Sequence, residues 1–249
     1  MSESKFKFPS EVVELPSKGL VYPKDNPLSS GKIEMKYMTA REEDILTNQS
    51  YIQNGTVLDK LLQSLIVTKV DYNDLITGDK NALLIAARIL GYGKIYEFMW
   101  KGEKVSVDLT TLDNREIDPK SFTAGKNEYN FVLPNSGATI QYKLLTHNDE
   151  KKIDAEVKGL KKINKNASPE LSTRLKYMLL SVNGETEQKD IRDFVDNYFL
   201  ATDSRAFRNH IKEFQPDINL RTTVETGDGG EEDVDIPINL NFFWPDAAL

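Results

Sequence analysis

The sequence predicts an α+β protein in two parts, each a helical section with a β-hairpin. Three observations lead there. Apolar side chains recur at helical spacing in residues 55–69 (Val57, Leu58, Leu61, Leu62, Leu65, Ile66) and in residues 190–200 (Ile191, Phe194, Val195, Tyr198, Phe199). Between these sections, residues 94–145 alternate apolar and polar about short turns, as hairpins do. No tandem repeat of solenoid period is present. The reading divides the chain into a Pro-rich arm (1–29), an N-terminal α+β domain (30–125) and a C-terminal α+β domain (126–249).

The arm is predicted to be extended, because each residue before a proline is steered away from helix. Residues 32–37 alternate and read as a strand. Thr39, with Glu42 three positions on, forms a capping-box pattern that starts a helix over 40–48. The apolar face of 55–69 predicts a second helix, and residues 81–90 a central third one stopped by Gly91 and Gly93. Two strands follow around Lys101, Gly102 and Glu103, and two more around residues 134–137. Residues 113–126 read as loop and as the place for a domain boundary.

The second helical section starts at Thr146, with a helix over 147–163 and a loop over 164–167. Residues 168–184 read as one helix, with Ser168 capping, Pro169 at its first position and Gly184 past its end. Thr186 starts another helix, and Thr202 or Asp203 a last one that ends before Pro216. The tail reads as two strands around residues 227–230, then an apolar plug of Phe242, Phe243, Trp244 and Pro245.

Composition narrows the function. The chain has 249 residues, 39% hydrophobic and 29% charged, and no run long enough to span a bilayer. Its opening residues lack the apolar core of a signal peptide. With no cysteine, disulfides, thiol catalysis and Cys-based metal sites are excluded, and two histidines leave little for a His-built centre. This usage fits a reducing cytosol. A net charge of −7 argues against a general nucleic-acid binder, whose affinity comes from basic side chains on phosphates. Protein partners become the leading class, with no membrane and no cofactor expected.

No catalytic constellation stands out. His210 follows Asp203 and Ser204 on one predicted helix, but they are about 9–10.5 Å apart along its axis, too far for a hydrogen-bonded triad. Asp203 reads as a cap and His210 as a surface or interface residue. No phosphate-binding glycine motif is present, and the glycines at 227–230 read as a hairpin turn. The acidic run 225–235 reads as a solvated rim. Lys151, Lys152, Lys158, Lys161, Lys162 and Lys165 form a basic stripe, either a solubilising face or a contact for an acidic partner. The candidate partner-binding residues are Leu15, Pro16, Leu20, Tyr22 and Pro23 in the stiff arm, and Phe242, Phe243 and Trp244 in the plug. Each set could instead pack on the chain's own core.

Several segments resemble a known family. ELPSKGLVYP, MTAREEDILTNQ and the VLDKLL helix, followed by SVNGE, DIRDFVDNY, ATDSRAFRNHI, PDINL and FFWPD, resemble the baseplate hub assembly proteins of T-even-type contractile-tailed bacteriophages. The segments run in the family's order over nearly the whole chain. The resemblance implies a non-enzymatic chaperone or scaffold that binds phage hub or tail proteins in the host cell cytoplasm. A permanent part of the virion baseplate, present in several copies, is the alternative in the same setting. Some relatives carry CxxC pairs in two hairpins, like zinc ribbons. The corresponding hairpins here, near 101–104 and 226–232, have no cysteine, so they would be degenerate ribbons without zinc. A nucleic-acid-binding module of that kind is a further alternative, opposed by the acidity of the second hairpin.

Overall fold

A computed structural model describes residues 9–166, 168–225 and 230–243. It shows an α+β fold of eight helices and small antiparallel sheets among the described residues. Strand β1 (Ser10–Glu14) pairs with β2 (Lys32–Lys36), Val12 facing Glu34. The chain between them turns repeatedly, so the extended arm expected over 1–29 is corrected to a compact loop for residues 15–29; Ser10–Glu14 is extended, and residues 1–8 lie outside the described residues. Lys18 and Gly19 take positive φ between the two prolines, and residues 27–30 form a 3₁₀ turn. Gly19 and Gly31 allow the loop to cross itself: a Cβ on Gly19 would lie 2.3 Å from the Ser29 carbonyl oxygen.

Helices α1 (Ala40–Leu46), α2 (Gln49–Gln53), α3 (Val57–Leu65) and α4 (Thr77–Tyr92) follow. The capping pattern at Thr39 forms: its N–H and hydroxyl both donate to the Glu42 carboxylate, at 3.0 and 2.6 Å. Helix α4 is longer than expected at both ends and passes through Gly91, because that glycine stays helical while Gly93 takes positive φ.

Hairpin β3 (Ile95–Trp100) and β4 (Glu103–Asp108) turns at Lys101 and Gly102, both with positive φ, as a two-residue hairpin requires. Strands β5 (Tyr129–Val132) and β6 (Thr139–Tyr142) form the next hairpin. Helix α5 (His147–Ile163) starts in a capping box between Thr146 and Asp149.

The helix expected over 168–184 is corrected. It splits into α6 (Glu170–Met178) and β7 (Leu179–Val182), and β7 adds a third strand beside β6. Pro169, not Ser168, is the cap; the Ser168 hydroxyl bonds Glu170 instead. Gly184 closes a turn after the strand, where both it and Asn183 have positive φ. Helices α7 (Gln188–Asn197) and α8 (Ala201–Phe214) precede the β8 (Arg221–Glu225) and β9 (Glu231–Asp235) hairpin and a final 3₁₀ turn, Leu240–Phe243. Gly227 and its neighbours at 226–229 lie outside the described residues.

One cluster of buried side chains runs through both halves. The start of α4 bridges the chain before α5: Ile76 pairs with Thr146, and the His147 N–H donates to the Leu75 carbonyl at 2.8 Å. Phe122 stacks on Phe214, and Tyr96 meets Phe242 edge-on at 4.7 Å. Gly78 is the tightest joint. A Cβ there would lie 1.8 Å from the Pro216 carbonyl oxygen, so only glycine lets the 216–217 backbone rest on α4.

Candidate functional site

The loop after β1 is anchored by a buried carboxylate. Asp79 sits in the first turn of α4, where the helix dipole favours negative charge. Its oxygens accept the Ser17 N–H (2.9 Å), the Ser17 hydroxyl (2.7 Å) and the Tyr22 hydroxyl (2.6 Å). The Tyr22 oxygen accepts the Ile76 N–H at 3.1 Å. Burial raises the Asp79 carboxyl above its ordinary range, against the pull of the Tyr22 and Ser17 hydrogen bonds.

This anchor decides where the candidate partner-binding residues go. Leu15, Pro16 and Tyr22 are buried in the chain's own core, and Phe242 and Phe243 are fully buried too. Leu20 is half-buried and Pro23 exposed. The expectation that these side chains meet a partner is corrected for the five buried ones: in this fold they dock in cis, because α4 and β3 offer apolar surface to cover. Trp244 lies outside the described residues.

The open surface lies elsewhere. A trough of about 800 Å³ separates the start of α3 from α5. Leu75, Thr77 and Leu84 line it from below, and α5 contributes His147, Lys151, Ala155 and Lys158. Those α5 residues span about 16 Å along the helix. Lys80 pairs with Asp59 at 2.5 Å, and the Tyr72 hydroxyl donates to the same Asp59 oxygen at 3.0 Å. His147 is 6% exposed and packs edge-on against Tyr72, ring centroids 4.6 Å apart. Its Nδ1 is buried without a hydrogen bond, and Asp59 Oδ1 stands 3.9 Å away. Burial lowers the imidazole pKa, with Asp59 pulling the other way, so the ring is neutral at neutral pH.

The Arg174 guanidinium holds Glu150 by two hydrogen bonds, one of them 2.8 Å, at the far wall of the trough. Behind this forked pair lies a second groove of about 260 Å³, between α6 and α8. It is lined by Leu171, Leu175, Met178, Phe207 and Ile211. The two concavities share Thr77, Glu150 and Arg174. Leu171 stands 44% exposed at the rim.

Other candidates have local roles. Asp203 lies in the first turn of α8 but accepts the backbone N–H groups of Asn135 and Ser136, at 2.8 and 2.9 Å. It therefore ties α8 to the β5–β6 turn. His210 is half-buried, with Nε2 2.7 Å from the Tyr142 hydroxyl and its ring stacked on Phe131 at 4.5 Å. The acidic hairpin is neutralised in part by Lys101 on Glu232 and Arg221 on Asp235. No three His, Asp or Glu side chains are grouped to hold a metal ion among the described residues. No helix among them is long and apolar enough to cross a membrane.

No family model, no curated protein and no solved structure matches the chain.

Proposed function

We propose that the chain is a protein-binding assembly factor for the hub of a contractile phage tail baseplate. It acts as a chaperone or scaffold in the host cytoplasm, with no chemical step of its own. The segment order described above supports the phage setting. The trough supports the binding mode: it is long, open and floored by apolar side chains, with charged side chains at its edges. Such a concavity suits a helix or extended segment of another protein, whose apolar side chains fill the floor while its polar ones meet the rim. Partner contact therefore moves from the buried segment around Tyr22 to the faces of α5 and α6.

The test is co-expression of the tagged chain with phage tail and baseplate proteins, followed by capture and mass spectrometry. Recovery of a hub component by the wild type, lost in Ala155→Trp and Leu171→Glu, is the expected outcome. A folded wild-type chain that recovers no hub or tail component sinks the reading.

A further inference from the structure

A third concavity, of about 370 Å³, is lined by Arg115, Asn209, Lys212, Glu213, Asn219 and Arg221. Three of these six are cations, on a chain whose net charge is −7. They come from three separate segments, two of them held together by backbone pairing and the third, α8, tied to them by the Arg115 side chain. Asn114 bridges to Ile218, the Arg115 N–H donates to the Asp217 carbonyl at 2.8 Å, and the Asn219 N–H to the Asp113 carbonyl at 2.8 Å. The cleft is thus built on ordered backbone although its side chains reach water.

Each cation keeps donors to spare. Arg115 uses Nη1 on the Lys212 carbonyl at 2.9 Å, in the last turn of α8, where carbonyls lack helical partners. Arg221 uses Nε on Asp235 at 2.9 Å, which leaves its two terminal nitrogens. The Lys212 ammonium enters no ion pair among the described residues, and the side-chain amides of Asn209 and Asn219 have no partner there. Two guanidinium groups, one ammonium and two amides therefore border one cavity, together with the single carboxylate of Glu213.

We infer that this cleft binds the carboxylates of an acidic segment of a protein partner. The inference rests on the protein-binding reading above and names the chemistry of one contact. Guanidinium groups match planar carboxylates by paired hydrogen bonds. A nucleic-acid backbone fits less well, since its affinity grows with the number of phosphates neutralised along a track. Here the cations end at Glu213, and Asp113, Glu116 and Asp235 stand exposed nearby. The site is a point of positive charge inside an acidic surface.

The experiment titrates the full-length, isotope-labelled chain with a capped hexaglutamate peptide at low ionic strength. The side-chain signals of Asn209, Asn219, Arg115 and Arg221 are followed by NMR. The expected result is a saturable shift at these groups, weakened about tenfold or more in Lys212→Glu and weakened by added salt. Absence of a saturable shift overturns the inference. So does equal binding by folded Lys212→Glu, or tighter occupancy of the same groups by inorganic phosphate or a single-stranded oligonucleotide. The capture experiment separates this failure from that of the function. If the wild type and the Arg115→Gln, Lys212→Glu double variant recover a hub component equally, the inference falls and the function stands. If the peptide saturates the cleft but the wild type captures no hub component, the cleft's chemistry stands and the function falls.

Discussion

Replacing Tyr22 with Phe keeps the buried ring and removes one oxygen. That oxygen donates to Asp79 at 2.6 Å and accepts from the Ile76 N–H at 3.1 Å. Losing a hydrogen bond to a charged acceptor costs about 1.5–3 kcal/mol, and leaving a buried N–H unpaired about 1–3 kcal/mol. The variant also sheds the desolvation cost of the hydroxyl, so the expected total is about 2–4 kcal/mol. In a chain of this size that lowers Tm by roughly 5–15 °C. Urea unfolding should show a lower midpoint with an unchanged slope. The loss should also depend on pH. The Asp79 pKa is already raised by burial, and removing a donor raises it further. A raised carboxyl contributes stability below its ordinary pKa of 3.8 and loses it as pH rises through the folded value. The variant's deficit should therefore shrink in acid. Tyr37→Phe is the control, since Tyr37 makes a similar bond to Glu11 on the exposed surface. Coincident midpoints for the wild type, Tyr37→Phe and Tyr22→Phe would refute the argument that this cluster holds the loop.

Gly78→Ala tests the joint between α4 and the 216–217 segment. In an open helix this change stabilises by about 1 kcal/mol. Here the Cβ would lie 1.8 Å from the Pro216 oxygen, so the expected result is a loss of about 3 kcal/mol or more, read by denaturant unfolding; a gain in stability would contradict the packing. Acid unfolding should proceed in two windows. Burial lowers the pKa of both His147 and His210, so the unfolded chain takes up protons first and stability declines as pH falls below about 6.5. Burial of Glu42 raises its carboxyl, but hydrogen bonds from Lys36, Thr39 and Ser64 outweigh it and hold the pKa at about 2. Its contribution, on the order of 3 kcal/mol, is present above pH 4.5 and lost towards pH 2. Glu42→Gln should remove much of the lower window in a stability–pH profile; an unchanged profile there would assign that loss to other carboxylates.

Features written in adjacent residues were legible in advance. The capping box at Thr39 and the helical start at Thr146 are both found where the sequence puts them, because a cap involves residues only three apart. The turn at Lys101 and Gly102 is local in the same way. Residues 179–182 form a strand where a helix is expected, for the opposite reason. Leu179, Leu180 and Val182 continue an apolar run that fits helix or buried strand equally. What decides is Ile140, more than forty positions upstream, which pairs with Val182. The turns between Pro16 and Pro23 were hidden likewise. Proline restricts its neighbours but does not reveal that Asp79, far along the chain, will collect Ser17 and Tyr22.

The same distinction explains why the two concavities carry no signal in the sequence. The partner contacts expected from the sequence fall in apolar stretches around Tyr22 and Phe242. Apolar side chains are the ones a core of this size recruits first, and it buries Leu15, Pro16, Tyr22, Phe242 and Phe243. The concavities are instead lined by residues with no local signature: Asp59, Lys80 and Arg174 at the trough, and Arg115, Lys212 and Arg221 at the cleft. Only the lysine stripe announced itself. Lys151 and Lys158 do border the trough, while Lys161 turns aside to pair with Glu170. The stripe is therefore not one surface. On the proposed function its trough-side lysines would meet an acidic rim on a bound segment, and the Lys161 side supports the α5–α6 junction. Charge reversal at Lys158 should weaken capture of a hub component without lowering stability, whereas Lys161→Glu should leave capture intact. Equal loss of capture in both variants would instead favour a general electrostatic attraction over a contact in the trough.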